Sequence, residues 1–197
     1  MLSGLILTGG ESSRMGTDKA AVEFSGEPQL ERLWRLLSGQ LDSVYVSLRS
    51  GQSEDALRAK YPYIADTLAD IGPAAGILAA HAYNPRSAWL TVACDMPLVS
   101  PELLQQLIAG RKSESLATVF VDGSGAPEPL IAIYEPAGLA GLQTVVDNGS
   151  YAGPRKYLAE LIEQDSVTVL EPAEVDQLQG FNTPQEMEML LPKHKEH

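Results

Sequence analysis

The chain has 197 residues, and its 26 acidic side chains against 14 basic ones give a formal net charge of −12 at pH 7. This balance excludes a non-specific nucleic-acid binder, because affinity for a phosphate backbone comes from clustered Lys and Arg. The length suits one domain over 1–197, in which we expect 192–197 to be a flexible polar tail.

The apolar stretches are much shorter than the roughly 20 residues that a membrane-spanning helix needs. The one cysteine, Cys94, rules out an internal disulfide and suits a reducing compartment. We therefore expect a soluble cytoplasmic protein that does not bind a membrane.

Strand-like apolar runs alternate with helix-period segments along almost the whole chain, which predicts an α/β fold. Predicted strands lie at 2–7, 44–48, 61–65, 88–94, 116–121, 130–134 and 167–170. Predicted helices lie around 30–37, 74–83, 101–109, 136–147 and 154–163, with a short one beginning near Ser53 and a last one near Pro184. This order predicts a three-layer αβα arrangement around a mostly parallel sheet, with a ligand crevice beyond the carboxyl ends of the strands.

The first predicted strand runs directly into a glycine-rich loop, within the sequence LILTGGESSRMGTDK at 5–19. Gly9, Gly10 and Gly16 would let backbone amides approach an anion without obstruction by a Cβ atom. Arg14 and Lys19 supply the positive charge that a triphosphate requires. The loop therefore predicts a nucleotide site, although a solvated Gly-Ser turn is the simpler alternative.

The spacing of this loop differs from two common glycine motifs. A Walker loop needs Gly-Lys followed by Ser or Thr, whereas Thr17 and Asp18 follow Gly16, and the dinucleotide pattern G-x-G-x-x-G is absent. The pattern G-G-x(5)-G-x-D-K after an N-terminal strand is similar to the signature loop of nucleotidyltransferases.

Three further segments accompany the loop at 66–76, 94–97 and 181–184. Over residues 4 to about 190, the four segments together resemble the molybdenum cofactor guanylyltransferases. The glycine loop and the Asp-x-Pro of 95–97 are shared by the wider nucleotidyltransferase superfamily. Gly-Pro-x-Ala-Gly at 72–76, the Leu-x-Gly-Gly start of the loop and the final Asn-Thr-Pro point to the guanylyl branch.

The resemblance implies a Rossmann-like fold of the nucleotide-diphospho-sugar transferase type and transfer of GMP from GTP to molybdopterin, with release of pyrophosphate. It implies Mg²⁺ as cofactor, and cofactor-delivery proteins or acceptor molybdoenzymes as further partners. The implied catalytic residues are Lys19, Asp95 and Arg14, with Asp95 as the metal ligand. The implied nucleotide-binding residues are Leu7, Thr8, Gly9, Gly10, Lys19, Asp66, Gly72, Gly76 and Asp95, and Asn182 is implied on the substrate side.

The residues themselves give partial support to these roles. Asp95 ends an apolar strand, where an unpaired carboxylate is costly and a cation is favoured. The alternative roles are a helix-capping or turn aspartate for Asp95, a surface lysine for Lys19, and a helix cap for the Asn-Thr-Pro of 182–184.

Two positions depart from the family pattern, and both bear on the site. Gly180 replaces the first asparagine of Asn-x-Asn-Thr-Pro, and Ser47 stands where some members carry a nucleotide-contacting asparagine. Three alternative functions remain open: a cytidylyltransferase acting on the same pterin, a sugar-phosphate nucleotidyltransferase, and a non-catalytic nucleotide-binding module.

Overall fold

The computed structural model describes residues 1–8, 18–24, 26–49, 52 and 55–190. Gly9, Gly10, Arg14 and Gly16 of the predicted glycine loop lie outside these residues, as do Ser53 and the predicted tail at 192–197. The roles of these residues and the extent of the domain over the whole chain therefore stay predictions.

Seven strands form one sheet: β1 (Leu2–Leu7), β4 (Val44–Leu48), β5 (Tyr63–Ala65), β6 (Ala88–Ala93), β7 (Ala117–Val121), β8 (Pro127–Tyr134) and β9 (Thr168–Leu170). Their order across the sheet is β5-β4-β1-β6-β8-β7-β9. A separate antiparallel pair consists of β2 (Glu23–Phe24) and β3 (Glu27–Pro28). Within the seven-stranded sheet, β8 runs antiparallel to both of its neighbours and every other pairing is parallel, so the predicted mostly parallel sheet is confirmed.

The helices lie close to their predicted positions. They are α1 (Gln29–Ser38), α2 (Ala74–Tyr83), α3 (Pro101–Ala109), α4 (Pro136–Asp147), α5 (Pro154–Glu163) and α6 (Pro184–Leu190). Ser100 caps α3 as its sequence predicts, because its hydroxyl accepts a hydrogen bond from the Leu103 amide and Pro101 occupies the first turn. Among the described residues, no helix has both the length and the apolar character required to cross a membrane.

At the centre of the sheet, α1 and α2 cover β1, and α2 also covers β6. All six residues of β6 and five of the six in β1 are buried, which requires cover on both faces of the sheet. Both α1 and α2 pack on β1. The sheet is thus the middle layer between helical layers, as predicted.

The register of the central strands shows at which edge of the sheet the crevice lies. Leu7 pairs with Ser47 on one side and with Ala93 on the other, so β1, β4 and β6 end at the same edge of the sheet. Thr8 and Asp95 follow directly at this edge. The fold therefore brings the start of the glycine loop close to the aspartate that follows β6.

The structure differs from the predictions in three details. β8 begins at Pro127 rather than at residue 130, and the two-residue strands β2 and β3 are too short to give a recognisable alternation. β5 begins at Tyr63 rather than at residue 61, because Tyr61 closes a 3₁₀ turn over Arg58–Lys60 with its amide bonded to the Arg58 carbonyl.

Candidate active site

A cavity of about 900 Å³ opens at the carboxyl edge of the sheet. Its walls come from the end of β1, the end of β4, the segment 66–76, the turn after β6 and residue 182. The predicted site residues that line it are Leu7, Thr8, Lys19, Asp66, Gly72, Gly76, Asp95 and Asn182. Residues far apart in the sequence thus share one cavity.

Lys19 contacts two of these segments, the turn after β6 and the segment that contains residue 182. Its Nζ atom donates to Asp95 Oδ2 at 3.0 Å, to the Phe181 carbonyl at 2.7 Å and to Asn182 Oδ1 at 3.1 Å. The Lys19 side chain is 15% exposed and that of Asp95 23% exposed. The ammonium group is therefore fixed beside a carboxylate that still reaches the cavity.

Gly180 allows the segment 180–182 to lie against the turn that carries Asp95. The Phe181 amide donates to the Asp95 carbonyl at 2.9 Å. A Cβ atom at position 180 would lie 3.1 Å from that carbonyl oxygen, which is tighter than ordinary packing. The glycine thus permits the close approach that brings the Phe181 carbonyl and Asn182 to Lys19.

Ser47 and Asp66 form a second polar group in the cavity wall. Ser47 Oγ donates to Asp66 Oδ1 at 2.7 Å, and Thr8 Oγ1 donates to the Ser47 carbonyl at 2.6 Å. Burial raises the pKa of Asp66, against the lowering effect of the Ser47 hydrogen bond. The serine that departs from the family pattern therefore orients a predicted nucleotide-binding residue.

Gly76 fits against Ser47 because it has no side chain. A Cβ atom at position 76 would lie 2.2 Å from Ser47 Oγ and 3.1 Å from Leu7 Cδ2. Gly72 adopts φ = +58°, in the left-handed region that favours glycine, and turns the chain into α2. The two glycines bring the first turn of α2 against the cavity, where its amide groups favour negative charge.

Two arginines near the site were not predicted. Arg49 lines the cavity beside Asp66. Arg58 is only 1% exposed, and its guanidinium is bonded to both Thr8 and Asp18. In the sequence Arg58 lies in a charged stretch where a short helix is predicted to begin near Ser53, and no local signal marks it as buried.

Cys94 carries no predicted chemistry, and its surroundings agree with that interpretation. The side chain is buried, and burial raises the pKa of its thiol far above the neutral range. The thiol therefore stays protonated, and it packs as a small apolar group.

Asp95, the predicted metal ligand, is one of the carboxylates that line the cavity, together with Asp66 and Asp70. In the described part of the chain, no group of three or more His, Cys, Asp or Glu side chains could hold a metal. Mg²⁺ fits such a setting, because proteins hold it through one or two carboxylates together with substrate phosphates and water.

The sheet order, the cavity at its carboxyl edge and the Lys19–Asp95 pair define the class of protein: a nucleotidyltransferase with a Rossmann-like fold. Residues 4–167 match the family described as the MobA-like NTP transferase domain, and the chain belongs to that family.

Similar proteins agree with this assignment. The molybdenum cofactor guanylyltransferase of Pseudomonas putida is 30% identical, with 93% of this chain and 94% of the relative covered. The molybdenum cofactor biosynthesis bifunctional protein of Synechocystis is 30% identical over 94% of this chain, which spans about half of that relative's length (52%). The crystal structure of molybdopterin-guanine dinucleotide biosynthesis protein A from Archaeoglobus fulgidus has a TM-score of 0.75 at 26% identity, with 96% of each chain covered.

Proposed function

We propose that the protein is a molybdenum cofactor guanylyltransferase, which transfers GMP from GTP to molybdopterin and releases pyrophosphate. The observation that carries the proposal is the 3.0 Å contact between Lys19 Nζ and Asp95 Oδ2 in one cavity. The guanylyltransferase name of the Pseudomonas relative supports the choice of substrates.

In this proposal an oxygen of the terminal phosphate of molybdopterin attacks the α-phosphorus of GTP. A new bond forms between this oxygen and the α-phosphorus. The bond between the α-phosphorus and the oxygen that bridges to the β-phosphate breaks, and pyrophosphate leaves with the bonding electron pair. Negative charge grows on the phosphate oxygens, so catalysis consists mostly of positioning and charge stabilisation. Lys19 would supply that stabilisation, and no covalent enzyme intermediate is needed.

We assign the other predicted nucleotide-binding residues to GTP and keep Asn182 on the side of the molybdopterin substrate. The backbone at Leu7, Thr8, Gly9 and Gly10 would bind the triphosphate together with Arg14. Asp66 would read the base, because guanine offers neighbouring N1–H and N2–H donors that a carboxylate can accept. Ser47 keeps one oxygen of Asp66 fixed at 2.7 Å.

Asp95 is the residue that would hold Mg²⁺. When bound, the ion would neutralise charge on the phosphate groups of the nucleotide. In the structure Lys19 already pairs with this carboxylate. The carboxylate becomes available once the triphosphate attracts the Lys19 ammonium, so we expect metal and nucleotide to bind together.

Base choice tests the proposal against its nearest alternatives. Purified protein, Mg²⁺ and molybdopterin are mixed with GTP, CTP, UTP or ATP in turn, and pyrophosphate and the dinucleotide product are measured. We expect turnover with GTP and little with the other three. Faster turnover with CTP would reject the guanylyl assignment, and nucleotide binding without turnover would favour a binding module.

We further propose that the reaction takes place in the cytoplasm and that the product passes to acceptor molybdoenzymes. The single cysteine, which lies buried and free, supports a reducing compartment.

A further inference from the structure

We propose that Arg58 is a positioning residue, which ties together the two ends of the glycine loop and thereby sets the position of Lys19. Arg58 Nη1 and Nη2 donate to Asp18 Oδ2 at 2.6 Å and to Asp18 Oδ1 at 2.8 Å. Its Nε donates to Thr8 Oγ1 at 3.2 Å. Thr8 and Asp18 are the residues on either side of 9–17, so one planar guanidinium bridges the start and the end of the loop.

Asp18 passes this restraint on to Lys19. Asp18 directly precedes Lys19, and its Oδ1 atom also accepts a hydrogen bond from the Ala20 amide at 3.1 Å. Both carboxylate oxygens are thus held, one on each arm of the arginine fork. The backbone next to Lys19 is therefore restrained independently of the ammonium contacts with Asp95 and Asn182.

Thr8 connects the same network to Ser47 and Asp66, and Asp66 is the residue that we propose to contact the base. Its hydroxyl receives the Arg58 Nε–H and donates to the Ser47 carbonyl, and Ser47 holds Asp66. A displacement of Arg58 would therefore reach both of the polar groups that line the cavity.

The burial of Arg58 argues for a specific role. A fully buried guanidinium must be desolvated, and an apolar residue of similar volume is often no less stabilising at such a position. Asp55 adds a second carboxylate at 3.2 Å from Nη1. Lysine could not replace this arrangement, because its ammonium group lacks the planar fork that bonds both oxygens of Asp18 together with Thr8.

The chain offers a matched control at the other edge of the sheet. Arg111 donates from Nε and Nη2 to both oxygens of buried Glu135, at 2.5 and 2.9 Å. Glu135 follows β8, whose Tyr134 pairs with Trp89 near the start of β6, whereas Asp95 follows the end of β6. Arg111→Lys therefore removes the same kind of fork far from the cavity.

The experiment compares Arg58→Lys, Asp18→Asn and Arg111→Lys with the wild type. The kcat and KM for pyrophosphate release from Mg·GTP in the presence of saturating molybdopterin, the thermal unfolding midpoint and amide hydrogen exchange over 9–19 are measured for each. We expect kcat to fall about tenfold or more in Arg58→Lys and Asp18→Asn, because small displacements of catalytic groups are costly. We expect Arg111→Lys to keep kcat within about twofold even where it unfolds at a lower temperature.

Hydrogen exchange separates this inference from the proposed function on which it rests. Faster exchange over 9–19 in Arg58→Lys and Asp18→Asn supports the restraint whatever reaction the protein catalyses. A wild type that does not turn over GTP overturns the proposed function alone. Wild-type kcat and exchange in both variants, with only a lower unfolding temperature, would overturn the positioning role. Asp18→Asn keeps the test decisive if Arg58→Lys does not fold, because Asp18 lies at the half-exposed end of the pair.

Discussion

At the scale of single residues, the surroundings of Asp18 and Asp66 shift the pKa values of these two aspartates in opposite directions. The Arg58 hydrogen bonds hold the pKa of Asp18 below its usual value despite the opposing effect of burial. Burial instead raises the pKa of Asp66. The two aspartates should therefore contribute to stability with opposite dependence on pH.

For Asp66, protonation is easier in the folded state than in the unfolded state. The contribution of this residue to stability is therefore greatest below the unfolded pKa and is lost as pH rises through the raised folded pKa. We expect Asp66→Asn to unfold at a higher temperature than the wild type at pH 7, while its preference for GTP over ATP falls. Thermal unfolding from pH 3 to 8 checks this, and an Asp66→Asn protein that is less stable than the wild type at pH 7 would contradict it.

For Asp18 the sign is reversed, because its folded pKa is lowered. Its contribution is fully present above the unfolded pKa, near the usual 3.8, and is lost as pH falls through the lower folded value. We expect the wild type to be more stable than Asp18→Asn at pH 7 and this difference to shrink toward pH 3. A difference that stays constant over this range would show that the ion pair with Arg58 does not stabilise the fold.

At the scale of elements, the first turn of α2 fits the cavity because Gly76 leaves room for Ser47. In Gly76→Ala the new Cβ atom would meet Ser47 Oγ at 2.2 Å, so the hydroxyl must turn away from Asp66. We expect a loss of about 1–3 kcal/mol in the free energy of unfolding, together with weaker GTP binding.

Gly123→Ala provides the control for this prediction. Nothing lies within 4 Å of a Cβ atom at position 123, and its φ is not in the left-handed region. We therefore expect Gly123→Ala to keep the wild-type free energy of unfolding in denaturant and the wild-type GTP affinity in calorimetric titration with Mg·GTP. Wild-type GTP affinity in Gly76→Ala would contradict the role given to the Ser47–Asp66 contact.

The elements that were predicted well are those with a strong local pattern. The largely apolar β6 and the capped start of α3 at Ser100 needed no tertiary information. The reversed direction of β8 was missed, although Asp-Gly-Ser-Gly at 122–125 lies between two strands and is typical of a hairpin. In the structure Asp122 Oδ1 accepts from the Ser124 and Ala126 amides and closes that turn.

The site was partly predictable for a similar reason. Lys19 and Asp95 each follow a strand in a sequence context typical of the family, and the parallel sheet brings those strand ends together. Arg58 depends on contacts with residues 40 and 50 positions away, so its burial could not be read from its own surroundings. The fit of Gly180 against the Asp95 carbonyl likewise became visible only in three dimensions.

At the scale of the whole molecule, an acidic chain must accept an anionic nucleotide. The net charge of −12 repels a triphosphate at long range, so binding has to rely on local positive charge at the carboxyl edge of the sheet. Lys19 provides such a charge, but its ammonium group is paired with the Asp95 carboxylate. We therefore expect metal and nucleotide to bind together.

Calorimetric titration with Mg²⁺ in the presence and absence of GTP tests this coupling. We expect weak binding of Mg²⁺ alone, at least tenfold tighter binding when GTP is present, and loss of that enhancement in Asp95→Asn. Tight binding of Mg²⁺ to the nucleotide-free wild type would show that Lys19 does not compete for the carboxylate.

The joint action of Lys19 and Asp95 on one phosphate chain is tested most directly by a double-mutant cycle. The rate of pyrophosphate release from GTP with molybdopterin is measured for the wild type, Lys19→Met, Asp95→Asn and the double variant. We predict that each single change slows release by about 10²–10³-fold and that the double variant is hardly slower than the worse single one, as for groups that act as a unit. A near wild-type rate in either single variant, or losses that simply multiply in the double variant, would contradict the account.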